Sequence, residues 1–207
     1  MGSLKVPVFF GAAAVAMTAA AVSTAIVSDS AYASPFQAES GVTSVFLNFE
    51  EVLSPLGIDL AGADDVVDPA AGLFQVGFTI TPDTDFTFSD ENIITPLSGA
   101  IAHIGSVTLA IDTMDEDLTV GNFVIGFDAD RVSDATSGFF VQDTLSLGIV
   151  LFDITNPPTA FNLTSDALML GSDLAISPEF AEVLTQIEKP GLAGAVVGAA
   201  QIDADLN

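Results

Sequence analysis

Apolar and polar positions alternate along most of this chain, and Gly, Pro, Asp and Asn interrupt the alternation repeatedly. Alternation places successive side chains on opposite faces of a strand, so the pattern predicts β-structure. Residues 45–49, 73–80 and 86–88 are candidate strands, with the Gly- and Asp-rich stretch 56–69 as a loop between the first two. Residues 98–112 alternate throughout and put Ile101, His103, Gly105, Val107 and Leu109 on one parity. Residues 118–127 follow as a strand, and the short acidic connection 112–117 closes a hairpin between the two. Further strands are expected at 139–141, 145–154, 161–163, 168–170 and 195–203. The Asn156-Pro157-Pro158 break is clean, because proline supplies no ladder donor.

One segment has helical spacing. Ser177 is a good N-cap, Pro178 suits the first helical position and Glu179 places an acid in the first turn. Phe180, Val183, Leu184 and Ile187 then recur on one helix face, and Pro190-Gly191 ends it. The expected fold is therefore all-β and mainly antiparallel: a β-sandwich or jelly-roll-like two-sheet domain with one short helix near the C-terminus.

The N-terminal segment follows a different logic. Lys5 precedes an Ala- and Val-rich apolar stretch that turns polar at Ser28-Asp29-Ser30 and ends in Ala31-Tyr32-Ala33. The small-x-small triplet is what signal peptidase accepts, so residues 1–33 read as a cleavable signal peptide. An uncleaved anchor is the alternative, since about 20 apolar residues span a bilayer. Residues 34–40 read as a flexible lead-in and 41–207 as a single domain. The expected location is secreted, extracellular or in the cell envelope, with no transmembrane segment after cleavage.

Charge narrows the partners. The chain carries 28 acidic residues against three Lys and Arg, a net charge of −25. Half of its residues are hydrophobic, which separates it from disordered acidic tails. Only Arg131 and Lys189 remain as bases beyond residue 33, so nucleic acid and anionic lipid are excluded as charge partners. Solubility in a salty medium, divalent cation binding and a cationic partner remain open. There is no cysteine and a single histidine, which excludes thiol chemistry and multi-histidine metal sites within one chain.

The acidic clusters are the candidate metal ligands. Asp112, Asp115, Glu116 and Asp117 gather in one connection, and Asp128, Asp130 and Asp134 in another. Calcium is the fitting ion, because hard cations take carboxylate oxygens. Asp128 and Asp130 have the first spacing of an EF-hand loop, but no central Gly or terminal Glu follows in register. Arg131 is placed to pair with one of them. Asp64, Asp65 and Asp68 form a third cluster. Each cluster also reads as a solvated loop.

No catalytic residue is assigned. Any Ser-His-Asp arrangement would need His103, and no Gly-x-Ser-x-Gly elbow occurs. His103 reads instead as a core or edge histidine with satisfied ring nitrogens. Paired carboxylates that hydrolyse glycosides remain a third-ranked alternative.

The stretch Leu97-Ser98-Gly99-Ala100-Ile101-Ala102-His103-Ile104-Gly105-Ser106-Val107-Thr108-Leu109 leads towards Val120-Gly121-Asn122-Phe123-Val124-Ile125-Gly126-Phe127-Asp128 and Ser137-Gly138-Phe139-Phe140-Val141-Gln142-Asp143-Thr144. These motifs resemble exported bacterial β-rich proteins of the PEP-CTERM-associated, cyanobacterial kind. The resemblance implies an extracellular or envelope role and no reaction. Gln201-Ile202-Asp203-Ala204-Asp205-Leu206-Asn207 lacks the Pro-Glu-Pro signal, apolar helix and basic terminus of that sorting tail, so attachment by that route is not expected. The leading expectation is a non-enzymatic structural or adhesive protein, stabilised by calcium if its clusters converge, whose partners are itself or an extracellular polymer. The alternative is a ligand- or carbohydrate-binding module.

Overall fold

The computed structural model describes residues 35–70, 72–91 and 94–207. The expected signal peptide lies outside them. Among the described residues there are fourteen strands: β1 (Phe36–Leu47), β2 (Ile58–Asp64), β3 (Val76–Ile80), β4 (Thr87–Ser89), β5 (Thr95–Ser98), β6 (Ile101–Ile104), β7 (Ser106–Ile111), β8 (Leu118–Gly121), β9 (Val124–Val132), β10 (Thr136–Gln142), β11 (Val150–Thr155), β12 (Ala160–Leu163), β13 (Ala167–Ile176) and β14 (Val196–Leu206). Helix α1 (Pro178–Gln186) lies between the last two. No helix among them is long and apolar enough to cross a membrane.

The mainly antiparallel β expectation holds, and the two-sheet sandwich does not describe the pairing. Eight strands form a ring, β1–β14–β13–β11–β10–β9–β6–β3, and β3 returns to β1. Every neighbouring pair in the ring is antiparallel. Period-two alternation fits a sandwich and a barrel equally, because both bury one face of each strand. Closure depends on long-range pairing of β1 with β14, which alternation does not encode. A small sheet, β2–β7–β8, stands apart from the ring, and β4–β5 and β12 extend it at its margins.

Two of the local differences are bends in strands that the alternation presents as continuous. The 98–112 segment divides at Gly105 into β6, in the barrel, and β7, in the small sheet. Its partner 118–127 divides at Asn122, which takes a positive φ of 47°, into β8 and β9. A long hairpin thus starts in the barrel wall and continues beyond its rim. Residues 58–64 of the expected loop form β2, recruited by pairing with β7 from Ile58↔Ile111 to Asp64↔Ser106. The expected lead-in is also strand from Phe36 onwards, paired with β4 and β14. Residues 145–149 are a loop rather than the start of β11.

The interior is built from cross-strand pairs that share a face. Thr43↔Phe78, Val45↔Val76, Ile101↔Ile125 and Val45↔Ala200 face one another around the ring. Where β1 begins, phenylalanines take over. Phe36 stacks on Phe88 at 5.4 Å, Phe88 on Phe86 at 5.6 Å, and Phe86 meets Phe139 edge-on at 6.0 Å. Phe86 and Phe88 are fully buried, each contributing about 2–3 kcal/mol through burial. Helix α1 forms as expected: Ser177 Oγ accepts from the Phe180 N–H and donates to the Val150 carbonyl at 2.7 Å, anchoring the helix to β11.

Candidate functional site

Past the phenylalanine layer, where β1 ends and β3 and β9 begin, the barrel holds a cavity of about 190 Å³. Barrel residues Val45, Phe78, Ile125 and Val141 form its floor and sides. Val107, Leu109 and Val120 of the small sheet, with Leu60 and Ala63 of β2, continue the wall above the rim. Phe152 and Phe180 complete it, their rings edge-on at 6.1 Å. Exposed Leu60, Ala63 and Gln75 mark the mouth.

Thr43, Gln75 and His103 are the polar side chains among its lining residues, and no carboxylate, lysine or arginine lines it. Gln75 Oε1 accepts from the Leu47 N–H at 3.1 Å, which holds the amide at the rim. His103 is buried; its Nδ1 lies 3.0 Å from the Phe123 carbonyl oxygen and its Nε2 2.7 Å from Thr43 Oγ1. Burial pushes its pKa down to about 4, against the smaller opposing effect of the Phe123 hydrogen bond. The ring is therefore neutral near pH 7. The expectation of a core histidine with both nitrogens satisfied is what the structure shows.

The rim is fastened by a carboxylate that the sequence reading did not single out. Asp143, fully buried, follows β10 and accepts N–H hydrogen bonds from Gly121 at 2.7 Å, Leu145 at 3.1 Å, Ser146 at 3.1 Å, Leu147 at 2.5 Å and Gly148 at 3.3 Å. Burial alone would raise this carboxyl; the N–H donors of Gly121, Leu147, Ser146 and Leu145 outweigh it and hold the pKa below the usual carboxylate value. The same loop donates from Ser146 Oγ to the Thr119 carbonyl at 2.6 Å and from Thr144 Oγ1 to the Asn122 carbonyl at 2.5 Å. One loop thus bolts the small sheet to the barrel. An Asp after a strand and before Ser-Leu-Gly is a turn signal, but the five donors come together only in three dimensions.

The carboxylates singled out as calcium ligands do not gather. Asp112 pairs with Lys189 Nζ at 2.6 Å, and Asp115, Glu116 and Asp117 are exposed along the β7–β8 turn. Asp128 Oδ1 accepts from the Asp130 N–H at 2.9 Å, a local bond within β9, and Asp134 is exposed in the turn before β10. Arg131 leaves that cluster and binds Asp153 at 2.7 Å and Glu179, its guanidinium 5.5 Å from the Phe140 ring centre. Asp64, Asp65 and Asp68 lie exposed at and after the end of β2. Among the described residues no three carboxylate or histidine groups are placed to hold one ion. Like-charged exposed side chains separate unless an ion holds them. Sodium chloride and calcium chloride at equal ionic strength are therefore expected to raise the thermal midpoint equally. An extra rise of more than about 3 °C with calcium, by calorimetry, would contradict this.

A second cleft, about 290 Å³, lies at the opposite end, with Phe127, Phe139 and Leu170 in its wall. Its hydroxyls are occupied: Ser137 Oγ donates to the Ile154 carbonyl and Ser172 Oγ to the Thr155 carbonyl, both at 2.9 Å. The first cavity is the better enclosed and the one with a buried polar pair.

No family model matches the sequence, and no curated protein matches it. Among solved structures, the chain is similar to the C-terminal domain of HtaA from Corynebacterium glutamicum, with a TM-score of 0.55 and 13% sequence identity over 83% of this chain and 99% of that one. At that identity the likeness establishes a shared barrel fold.

Proposed function

We propose that the protein is a non-enzymatic binding module that holds one small, mainly apolar molecule in the rim half of its barrel. The export and envelope location expected from residues 1–33 form part of this reading. The observation that carries it is the 190 Å³ cavity, walled by two sheets and containing one hydrogen-bonded His–Thr pair. A barrel that served only as a scaffold would gain stability by filling this volume, since dispersion contacts are forfeited along an empty wall. Eight-stranded barrels have room either for their own side chains or for one small ligand. An apolar cavity of about 150 Å³ already suffices for benzene. The cavity thus favours the binding alternative over the structural or adhesive one. With no carboxylate in its lining, a hydrolase using paired acids has no seat there.

The test is titration with 1-naphthylamine, an uncharged dye small enough for the cavity, whose fluorescence rises and shifts in apolar surroundings. Saturable enhancement with a micromolar dissociation constant is expected. Ala200→Leu and Val141→Phe, made separately, intrude into the cavity and should each weaken binding by about tenfold to a hundredfold. Circular dichroism checks that they fold. No saturable signal from the unaltered protein, or equal affinity in both folded variants, would sink the proposal.

A further inference from the structure

The hydrogen bonds around His103 have a direction, and that direction selects a ligand. Both the backbone N–H of His103, at 2.9 Å, and its Nδ1, at 3.0 Å, face the Phe123 carbonyl oxygen. A carbonyl only accepts, so Nδ1 carries the ring proton. The neutral ring leaves Nε2 as an acceptor, and the Thr43 hydroxyl at 2.7 Å must donate to it. Its proton is thereby committed, while its oxygen retains acceptor capacity; among the described residues no side-chain or backbone donor reaches it. Each bond polarises the next along Thr43–His103–Phe123, which strengthens that oxygen as an acceptor. Thr43 and His103 both line the cavity, so the chain of donors ends at its wall.

Resting on the binding reading above, we infer that the cavity takes an uncharged apolar molecule bearing one hydroxyl group, an alcohol or a phenol, whose proton is donated to Thr43 Oγ1. An ether or ketone of the same shape brings an acceptor against an acceptor. A carboxylate does the same and adds a charge that no lining cation offsets, in a protein of net charge −25.

The discriminating experiment is calorimetric titration of the protein with 2-naphthol, 2-methoxynaphthalene and 2-naphthoate. Naphthol should bind about tenfold more tightly than its methyl ether, the worth of one hydrogen bond, and naphthoate should show no binding. Thr43→Val alone frees His103 Nε2 to accept from the ligand. The deciding variant is therefore the Thr43→Val/His103→Phe pair, which should bring naphthol and the ether to equal affinity, while Thr43→Ser should keep the difference. Equal binding of naphthol and ether to the unaltered protein overturns the hydroxyl assignment while leaving the cavity reading intact. So does a preference that survives in the folded double variant. Failure of all three compounds and of the uncharged dye overturns both.

Discussion

Asp143→Asn is expected to destabilise the protein by about 3 kcal/mol or more, read as a lower urea midpoint with an unchanged slope. The substitution keeps the volume and removes the charge, then turns an NH₂ group towards backbone N–H donors. Bonds to a charged acceptor are worth about 1.5–3 kcal/mol each, and several are lost or weakened together while their donors remain buried. The effect has a pH signature. The carboxyl is held below its ordinary value in the folded state, so its contribution is complete above the unfolded pKa and is lost as pH falls through the lowered folded one. His103 acts in a higher window. Its pKa falls from 6.5 to about 4 on folding, so the unfolded chain binds the extra proton and stability drops as pH falls from about 6.5 towards 4. That drop is on the order of 3 kcal/mol. Two successive acid limbs are expected in the stability profile. Asp143→Asn should remove the lower limb only; if the upper limb vanished as well, the separate assignment would be wrong.

The second large effect belongs to Gly105→Ala. Gly105 has a φ of +115°, and a Cβ there would lie 2.7 Å from the Asp65 carbonyl oxygen and 3.0 Å from a ring carbon of Phe78. The first obstacle is backbone and the second a cavity-lining ring, so neither yields cheaply. Strain at such a position costs about 1–3 kcal/mol before the clash is counted, and a total loss of about 3 kcal/mol or more is expected. Gly148 is the control: its φ of +68° carries left-handed strain, but nothing lies within 4 Å. Gly148→Ala should cost about 1 kcal/mol and leave dye binding unchanged. Gly105→Ala should weaken dye binding as well, because it displaces the strand that carries the cavity's upper wall. Equal stability loss in the two variants would refute the hinge role.

Much of this architecture was legible in the amino-acid pattern, and the omissions have definite physical reasons. Alternation located most strands and placed His103 on an inward face, because inner and outer faces differ in polarity whatever the sheet's closure. The α1 boundaries were legible since caps and proline act locally. The bend at Gly105 looked like continuity, because parity survives the hinge: Ile101, His103, Val107 and Leu109 are all buried, although the first two belong to the barrel and the last two to the small sheet. β2 was concealed by Gly62 and its acids, poor strand formers that pairing with β7 overrides. The cavity itself leaves no local trace, since it is assembled from residues as distant as Thr43 and Ala200. Acidic density, conversely, marks candidate ion ligands without fixing where their carboxylates point, and among the described residues no three are placed around one ion.

The seam between β1 and β14 sets a condition on how the molecule can come into being. Its register runs from Ala38↔Leu206 to Leu47↔Gly198, so the ring is completed by segments separated by most of the chain. Closing so long a loop is entropically costly before any contact repays it, and such topologies are slow to form. Until β14 docks, β1 and β13 each present an unpaired edge, the kind of surface on which chains adhere to one another. In that interval the dense negative charge, −25 over the chain, keeps incomplete chains apart.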